Sequence, residues 1–164
     1  MCGIAGYLTH TRPYSDSLEK MLGSIVHRGP DARSEYRDGP YIAGMCRLAI
    51  NDIQHGGQPL FNRDRTVTLL YNGEIYNSPQ LRKELEHKGY QFLTHSDGEV
   101  ICHLYDECGE ALFERLDGMF AIALWDSNRK RLMLARDLAG EKPLYYAKPE
   151  QGGIVFASEI KAIR

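Results

Sequence analysis

The sequence predicts an α+β fold built on antiparallel sheets. Strand-like segments run along the whole chain, whereas the helix-like segments are grouped between Asp16 and Leu116. Strand and helix therefore do not alternate regularly, as they would in a doubly wound parallel fold. Neither glycine-rich phosphate-binding pattern occurs, so no phosphate cradle is expected. With 164 residues, the chain is long enough for one domain with its own core.

The N-terminal part of the chain predicts two strands and one amphipathic helix. Gly3–Thr9 and Tyr41–Arg47 have the apolar content of strands. Ser15 or Asp16 is a suitable N-cap for the helix, and His27–Asp31 is a loop with proline and glycine. The helix carries an apolar stripe at i, i+3, i+4, i+7 and i+8, formed by Leu18, Met21, Leu22, Ile25 and Val26.

The middle of the chain predicts a strand followed by two helices. The strand is Val67–Tyr71. Ser78, followed by proline, is typical of a helix N-cap, and Gly89 of the position after the helix end. Ser96–Glu99 has the pattern of a capping box, which would open a second helix that ends before Gly109.

The last third of the chain predicts more strands. Gly118–Asp126 and Arg131–Asp137 form a hairpin of well-buried strands, and short strands lie near Leu144–Ala147 and Ile154–Ala157. Ser158–Arg164 is typical of the start of a helix, and we expect the chain to be cut from a longer protein.

The charge and hydropathy of the chain exclude several classes of protein. The net charge is −2, from 20 basic and 22 acidic residues, which argues against a non-specific nucleic-acid binder. The longest apolar run, Met119–Trp125, is far too short to span a membrane. No basic segment followed by an apolar stretch marks a secretory signal at the N-terminus. We therefore expect a cytoplasmic protein.

The four cysteines are expected to be reduced thiols, since the chain shows no secretory signal. Cys102 and Cys108 would lie on different faces of a helix, which is a poor arrangement for a metal. Together with Cys46 they are expected to be small buried residues. The histidines also lack metal-ligand spacing, so no metal is expected.

Cys2 differs from the other cysteines because it follows the initiator methionine. Removal of Met1 would leave Cys2 with a free α-amine, which puts a thiol and a base of pKa roughly 7.7–8.0 on one residue. Gly3 has no Cβ to obstruct a substrate. These residues alone are equally compatible with an ordinary second residue whose methionine is retained.

A series of spaced motifs runs along essentially the whole chain. The motifs are, in chain order, Met1–Ile4, His27–Asp31, Arg47–Asp52, Gln58–Leu60, Asn72–Asn77, Ser96–Ile101, Gly118–Ala121, and Arg136–Asp137 with Lys142–Tyr146. Together they resemble one family, the glutaminase domain of glutamine-hydrolysing asparagine synthetases. That domain is a class II glutamine amidotransferase.

The resemblance implies a fold and a reaction. The fold is that of N-terminal-nucleophile hydrolases, with two stacked antiparallel sheets covered by helices in four αββα layers. The reaction is hydrolysis of the side-chain amide of L-glutamine, with Cys2 attacking and its own amine taking the thiol proton. The side-chain amide of Asn72 and the backbone N–H of Gly73 would stabilise the oxyanion. Asn-Gly is also typical of a type I′ hairpin turn, and we expect a turn here to present both donors.

The resemblance also assigns residues to the amino-acid end of glutamine. Arg47 would bind the α-carboxylate, and Glu74 and Asp97 would lie near the amino-acid head. The segment lining the pocket would be Leu48, Ala49, Ile50 and Asn51. Taken alone, Arg47 is more typical of a surface residue at a strand end, and Asp97 of a carboxylate in the first turn of a helix. With the resemblance, the binding roles are preferred.

Other polar residues of these motifs are expected to be structural. Since the amine of Cys2 would already serve as the base, His27 and Arg28 are placed in a structural loop. Asp31 would anchor that loop, and Glu99 would be the capping-box partner.

Three residues depart from the family pattern: Met45 stands where histidine is common, Asn51 where an aliphatic residue is usual, and Leu138 where arginine is frequent. Residues 1–164 are expected to form one glutaminase domain cut before an ATP-dependent synthetase domain, whose Ser-Gly-Gly-x-Asp-Ser loop is not found in this sequence. No cofactor is expected for this domain, and ATP and magnesium only for the missing one.

The sequence leaves two alternatives open. The ammonia acceptor is aspartate in asparagine synthetases, but a sugar or a peptide in similar amidotransferases. A non-catalytic scaffold that packs against a synthetase is the alternative from another class, and the presence of Cys2 weighs against it. The expected partners are L-glutamine and the synthetase domain, without nucleic acid or membrane. The oligomeric state is open, a homodimer included.

Overall fold

A computed structural model describes residues 1–9, 17–49 and 57–164 of the chain and confirms an α+β fold. The strands in these residues are β1 Gly3–Leu8, β2 Ala32–Asp38, β3 Tyr41–Arg47, β4 Leu60–Phe61, β5 Val67–Ile75, β6 Gly118–Asp126, β7 Arg131–Arg136, β8 Tyr145–Ala147 and β9 Ile154–Ala157. The α-helices are α1 Ser17–Ser24, α2 Ser78–His87 and α3 Glu99–Cys108. Short 3₁₀ turns follow at Val26–Arg28, Gly109–Glu114 and Ile160–Ala162.

The strands form two antiparallel sheets that pack face to face. The first has the order β2-β3-β1-β9-β8, and the second the order β4-β5-β6-β7. One buried cluster lies between the sheets, a second joins α1 to the first sheet, and a third joins α2 and α3 to the second. The predicted four-layer αββα arrangement is therefore confirmed.

Aromatic stacking fills the layer between the sheets. The ring of Tyr41 stacks on Trp125 from the other sheet at 5.0 Å between centroids, and on Phe156 at 6.5 Å. Ile4 of β1 belongs to this layer, whereas its neighbour Ala5 faces α1. Because side chains alternate along an extended chain, Cys2 shares the face of Ile4, and it packs against the inter-sheet cluster.

Several predicted elements differ in detail from the structure. The first helix ends at Ser24, and Val26 is 51% exposed, so its place in the apolar stripe was wrong. The expected caps Ser15 and Asp16 lie outside the described residues. The N-cap of α2 is Asn77 rather than Ser78, whereas Gly89 follows its end with positive φ as predicted.

Other differences concern the strands. The edge strand β2 was not predicted, and its alternation of exposed and half-buried residues explains why its sequence shows no apolar run. The outer strand β7 is less buried than expected. The predicted helix over Ser158–Arg164 is only the 3₁₀ turn at Ile160–Ala162.

The capping box predicted before α3 is not formed as expected, although Gly109 ends that helix as predicted. Ser96 Oγ accepts the Gly98 N–H at 3.3 Å. The carboxylate of Glu99 turns the other way and accepts the N–H groups of Leu93 at 2.7 Å and Thr94 at 2.8 Å. Glu99 therefore closes the loop before the helix instead of capping Ser96.

This buried carboxylate makes the stability of the fold sensitive to acid. Burial alone would raise the pKa of Glu99, but the His103 ring and the hydrogen bonds from Thr94 and Leu93 lower it to about 2, against an ordinary value of 4.5. A carboxylate whose pKa is lower in the folded state stabilises the fold above its unfolded pKa. That contribution is lost as the pH falls from about 4.5 to about 2.

We expect Glu99→Gln to lower the free energy of unfolding by about 1.5–3 kcal/mol at neutral pH, because charge-assisted hydrogen bonds are lost. The difference from the wild type should shrink as the pH falls below about 4.5. Urea denaturation at a series of pH values measures both. The matched control is Glu114→Gln, at an exposed glutamate. A difference that is independent of pH would contradict this role of the Glu99 charge.

Candidate active site

Cys2 is held at the junction of two strands. Because β1 and β3 pair antiparallel, the start of β1 lies beside the end of β3. There the backbone N–H of Leu48 lies 3.4 Å from Cys2 Sγ, and the thiol lies 3.6 Å from the Leu48 carbonyl oxygen. Cys2 is half-buried and is not part of a disulfide. The thiol is therefore accessible and has a polar backbone partner.

Asn72 and Gly73 do not form the predicted hairpin turn, and that expectation was wrong. Both lie within β5, opposite Ala121 and Phe120 of β6. A Cβ at Gly73 would lie 2.1 Å from the Met119 carbonyl oxygen, so glycine is needed here for the close approach of β6 rather than for a turn.

The side chain of Asn72 is a buried donor. Leu70, two residues before it in β5, belongs to the inter-sheet cluster, so alternation directs Asn72 to the same layer as Cys2. Asn72 is 3% exposed, and its Nδ2 has no hydrogen-bond partner within residues 1–9, 17–49 and 57–164. A buried amide nitrogen without a partner is unusual and points to a role in binding.

The backbone N–H of Gly73 faces the edge of β5 that β6 does not cover. The N–H groups of Tyr71 and Ile75 donate to the side chains of Gln58 at 2.7 Å and Asp97 at 2.8 Å. Gly73 lies midway between them, and N–H directions alternate along a strand. Its N–H therefore points to the same side as theirs, next to Asn72.

Asp97 lies directly before the N-cap of α3 and not in its first turn. Its carboxylate accepts the hydroxyl of Tyr71 and the N–H of Ile75, and both bonds end on Oδ2. Burial, and next the charge of Asp97, raise the pKa of Tyr71 far above its ordinary value, so its hydroxyl stays a donor. Asp97 is thereby fixed against β5.

Arg47 is the last residue of β3 and is half-buried. The Asp31 N–H donates to its carbonyl oxygen at 3.0 Å, and the Asp31 carboxylate accepts the Ala49 N–H at 2.8 Å. Asp31 thus anchors the loop as predicted and shapes the segment after Arg47. Glu74 is exposed on β5. Ile50 and Asn51 lie outside the described residues.

Two residues that sequence reasoning gave no role in the site support its backbone. Arg28, assigned to a structural loop, donates from Nε to the carbonyl oxygen of Cys2 at 3.0 Å. The side-chain amide of Gln58 bonds both backbone groups of Tyr71, at 2.7 and 2.8 Å. The motifs Gln58–Leu60 and His27–Asp31 contain both residues and could have pointed to them. Their contacts could not be predicted, because they join segments that are separated in the sequence.

Two departures from the family pattern lie in different surroundings. Met45 is fully buried in the inter-sheet cluster, whereas Leu138 is fully exposed.

Among the described residues, no group of three or more histidine, cysteine or acidic side chains is placed to hold a metal ion. Within the same residues, no helix has the length and apolar character needed to span a membrane.

Comparison with solved structures shows the fold. Glutamine phosphoribosylpyrophosphate amidotransferase from Bacillus subtilis, complexed with ADP and GMP, superposes with a TM-score of 0.82 over 99% of this chain and 43% of its own. The sequence identity is 24%, so this similarity concerns the fold alone.

The chain is similar to the N-terminal part of much longer curated proteins. It is 40% identical to glutamine-hydrolyzing asparagine synthetase 3 of Bacillus subtilis (strain 168), over 99% of this chain and 27% of that protein. Asparagine synthetase 2 of Arabidopsis thaliana is 43% identical, over 99% of this chain and 28% of that protein. The chain thus spans about a quarter of the length of these relatives.

The sequence profile of the glutamine amidotransferase domain matches residues 1–164. On this match over its whole length, the chain belongs to the glutamine amidotransferase domain family.

Proposed function

We propose that this domain hydrolyses the side-chain amide of L-glutamine to glutamate and ammonia through a thioester on Cys2. The observation that carries the proposal is the buried Asn72 amide, which has no partner among the described residues and faces the same inter-sheet layer as the Cys2 thiol. A nucleophile and an unpaired donor on one face are the two groups that acyl transfer requires.

The nucleophile would be activated by its own amine. Once Met1 is removed, the Cys2 α-amine takes the thiol proton, through a water molecule, as sulfur attacks the amide carbon. Collapse of the tetrahedral intermediate breaks the carbon–nitrogen bond, and the same proton leaves with ammonia. Water then attacks the thioester, which returns the thiol and releases glutamate.

The oxyanion of each tetrahedral step would be bound by the Asn72 side-chain amide and the Gly73 N–H. The pairing of β5 with β6 fixes the backbone of both residues, and burial limits the movement of the Asn72 side chain, so little reorganisation is needed when charge develops. Gly73 cannot be tested by substitution without disturbing the fold, because any Cβ would meet the backbone of β6.

The α-carboxylate and the α-ammonium of glutamine would each be held by a side chain of opposite charge. Arg47 offers a planar guanidinium for the α-carboxylate. Both hydrogen bonds of Asp97 end on Oδ2, which leaves Oδ1 as the atom it offers to the α-ammonium. Glu74, exposed on β5, adds a negative charge on this side.

The ammonia would be used by a second domain of a longer protein. The relatives are named glutamine-hydrolyzing asparagine synthetases, and the matched part is 27% of one of them and 28% of another. We therefore propose asparagine synthesis from aspartate, with ATP and magnesium bound by the second domain, in the cytoplasm. A sugar or peptide acceptor remains the alternative.

We expect Cys2→Ala to abolish ammonia release from glutamine. In the wild type without Met1, the rate should rise as the pH approaches the amine pKa of roughly 7.7–8.0. A coupled assay for glutamate measures both, with intact mass confirming the loss of Met1. Cys108→Ala is the matched control, since Cys108 is another half-buried free thiol. Equal activity in Cys2→Ala would remove Cys2 from the mechanism.

We expect Asn72→Ala to lower kcat about 10²–10³-fold, the usual loss for one oxyanion donor. Thr68→Val is a matched control, because Thr68 lies on the same face of β5 and its buried Oγ1 also has no partner in the described residues. It should retain full activity. Steady-state kinetics on both variants test the assignment, which a similar loss in the two would refute.

We expect Arg47→Ala to raise the KM for glutamine at least tenfold and to change kcat much less. The reason is that the α-carboxylate is bound in the ground state and in the transition state alike. Arg33→Ala, at an exposed arginine on the neighbouring strand β2, should leave both constants unchanged. Loss of kcat alone would assign Arg47 another role.

A further inference from the structure

The segment after β9 holds the first residues of the chain. The Ser158 N–H donates to the Ile4 carbonyl oxygen at 2.8 Å, and the Ile4 N–H donates to Ser158 Oγ at 3.0 Å. Ser158 is fully buried. Glu159, the next residue, is thereby fixed close to the front of β1.

Arg28 connects Glu159 to the nucleophile. Its Nε donates to the Cys2 carbonyl oxygen at 3.0 Å, and its Nη1 lies 3.1 Å from Glu159 Oε1. The Arg28 side chain is only 10% exposed. A Cβ at Gly3 would lie 3.1 Å from Arg28 Cδ, so the guanidinium stem packs directly against the peptide that follows Cys2.

The charge of Glu159 is what keeps Arg28 in place. A largely buried guanidinium without a carboxylate partner is costly, because its low exposure limits compensation by water. His27 at 2.8 Å and Lys161 at 3.1 Å also contact Glu159, but both are 54% exposed. Burial opposes ionisation, yet these hydrogen bonds and that of Arg28 lower the pKa of Glu159 to about 2. The carboxylate is therefore ionised at neutral pH.

The first residue of a processed chain has a peptide bond on one side only, so its orientation depends on its noncovalent contacts. After removal of Met1, the contacts of Cys2 within the described residues include those of Leu48 with Sγ, of Arg28 with the carbonyl oxygen, and the packing of its side chain against the inter-sheet cluster. We propose that Glu159 is a positioning residue for the nucleophile, because it holds the guanidinium that fixes the Cys2 carbonyl and so directs the thiol and the α-amine. The catalytic part of this inference rests on the proposed function.

Kinetics test the catalytic part. Glu159→Gln should lower kcat for glutamine hydrolysis about 10–100-fold, with KM changed less than about threefold, since misplacement affects the attack and not the binding. Arg28→Lys should behave similarly, because it keeps the charge but loses the Nε donor. The double variant should lose no more kcat than the more impaired of the two single variants, since the two residues act in one chain of contacts.

The matched control is Glu84→Gln. Glu84 contacts Arg115 at 2.6 Å and Lys88 at 3.3 Å in a comparable ion-pair group on α2, far from β1. It should retain wild-type kcat and KM. Equal losses in Glu84→Gln and Glu159→Gln, or fully additive losses in the double variant, would overturn the inference.

A spectroscopic measurement is independent of activity. Labelling with ¹³C-carbonyl cysteine and ¹⁵N-glycine selects two Cys-Gly peptides in this chain, Cys2-Gly3 and Cys108-Gly109. The Cys2 carbonyl resonance should shift in Glu159→Gln and Arg28→Lys and stay unchanged in Glu84→Gln. The Gly109 signal reports that each variant is folded.

These outcomes separate the two proposals. If the wild type fails to hydrolyse glutamine, the proposed function is wrong, and the Cys2 carbonyl still tests the contact with Glu159. If that resonance does not move in Glu159→Gln, the inference is wrong whatever the activity. Should this variant fail to fold, Arg28→Lys decides the case, and an unshifted Cys2 carbonyl with wild-type kcat in that variant would overturn the inference.

Discussion

The antiparallel pairing of β1 with β3 is the constraint on which the candidate site depends. Its register places Gly3 opposite Cys46, so the chain immediately after β3 passes the thiol of Cys2. A slip of one residue would move Ile4 out of the inter-sheet layer and turn Cys2 toward α1. The register is enforced by a close approach at Gly6, where any Cβ would lie 2.7 Å from the Ile42 carbonyl oxygen.

The second sheet contributes the other groups of the candidate site, Asn72 and Gly73, from the single strand β5. Along β5, alternate backbone N–H groups are bonded to β6, while those of Tyr71 and Ile75 are bonded to side chains from distant loops. Past the end of β4, side chains thus bond the N–H groups of Tyr71 and Ile75, while the Gly73 N–H between them points to the same open edge. This extension carries Asn72 and Gly73 to the sheet edge while keeping them rigid.

The sequence predicted the features that local patterns control. Alternation and turn residues were enough for the hairpin of β6 and β7, and spaced motifs were enough to single out Cys2, Asn72 and Gly73. The turn predicted at Asn72-Gly73 was wrong because glycine is needed there for the close approach of β6. No local sequence pattern reveals that contact. Arg28 and Glu159 are 131 residues apart, so their contact was equally invisible before the fold was known.

The buried amide of Asn72, which has no partner in the part of the chain that the structure describes, bears on how such a domain would change over time. A buried donor without a partner lowers the stability of the resting fold by roughly 1–3 kcal/mol. In a lineage freed from the need for glutamine, an aliphatic side chain at this position would make the protein more robust. Drift would then replace the proposed oxyanion donor early, so the residue at this position would distinguish lineages that still hydrolyse glutamine from those that no longer do.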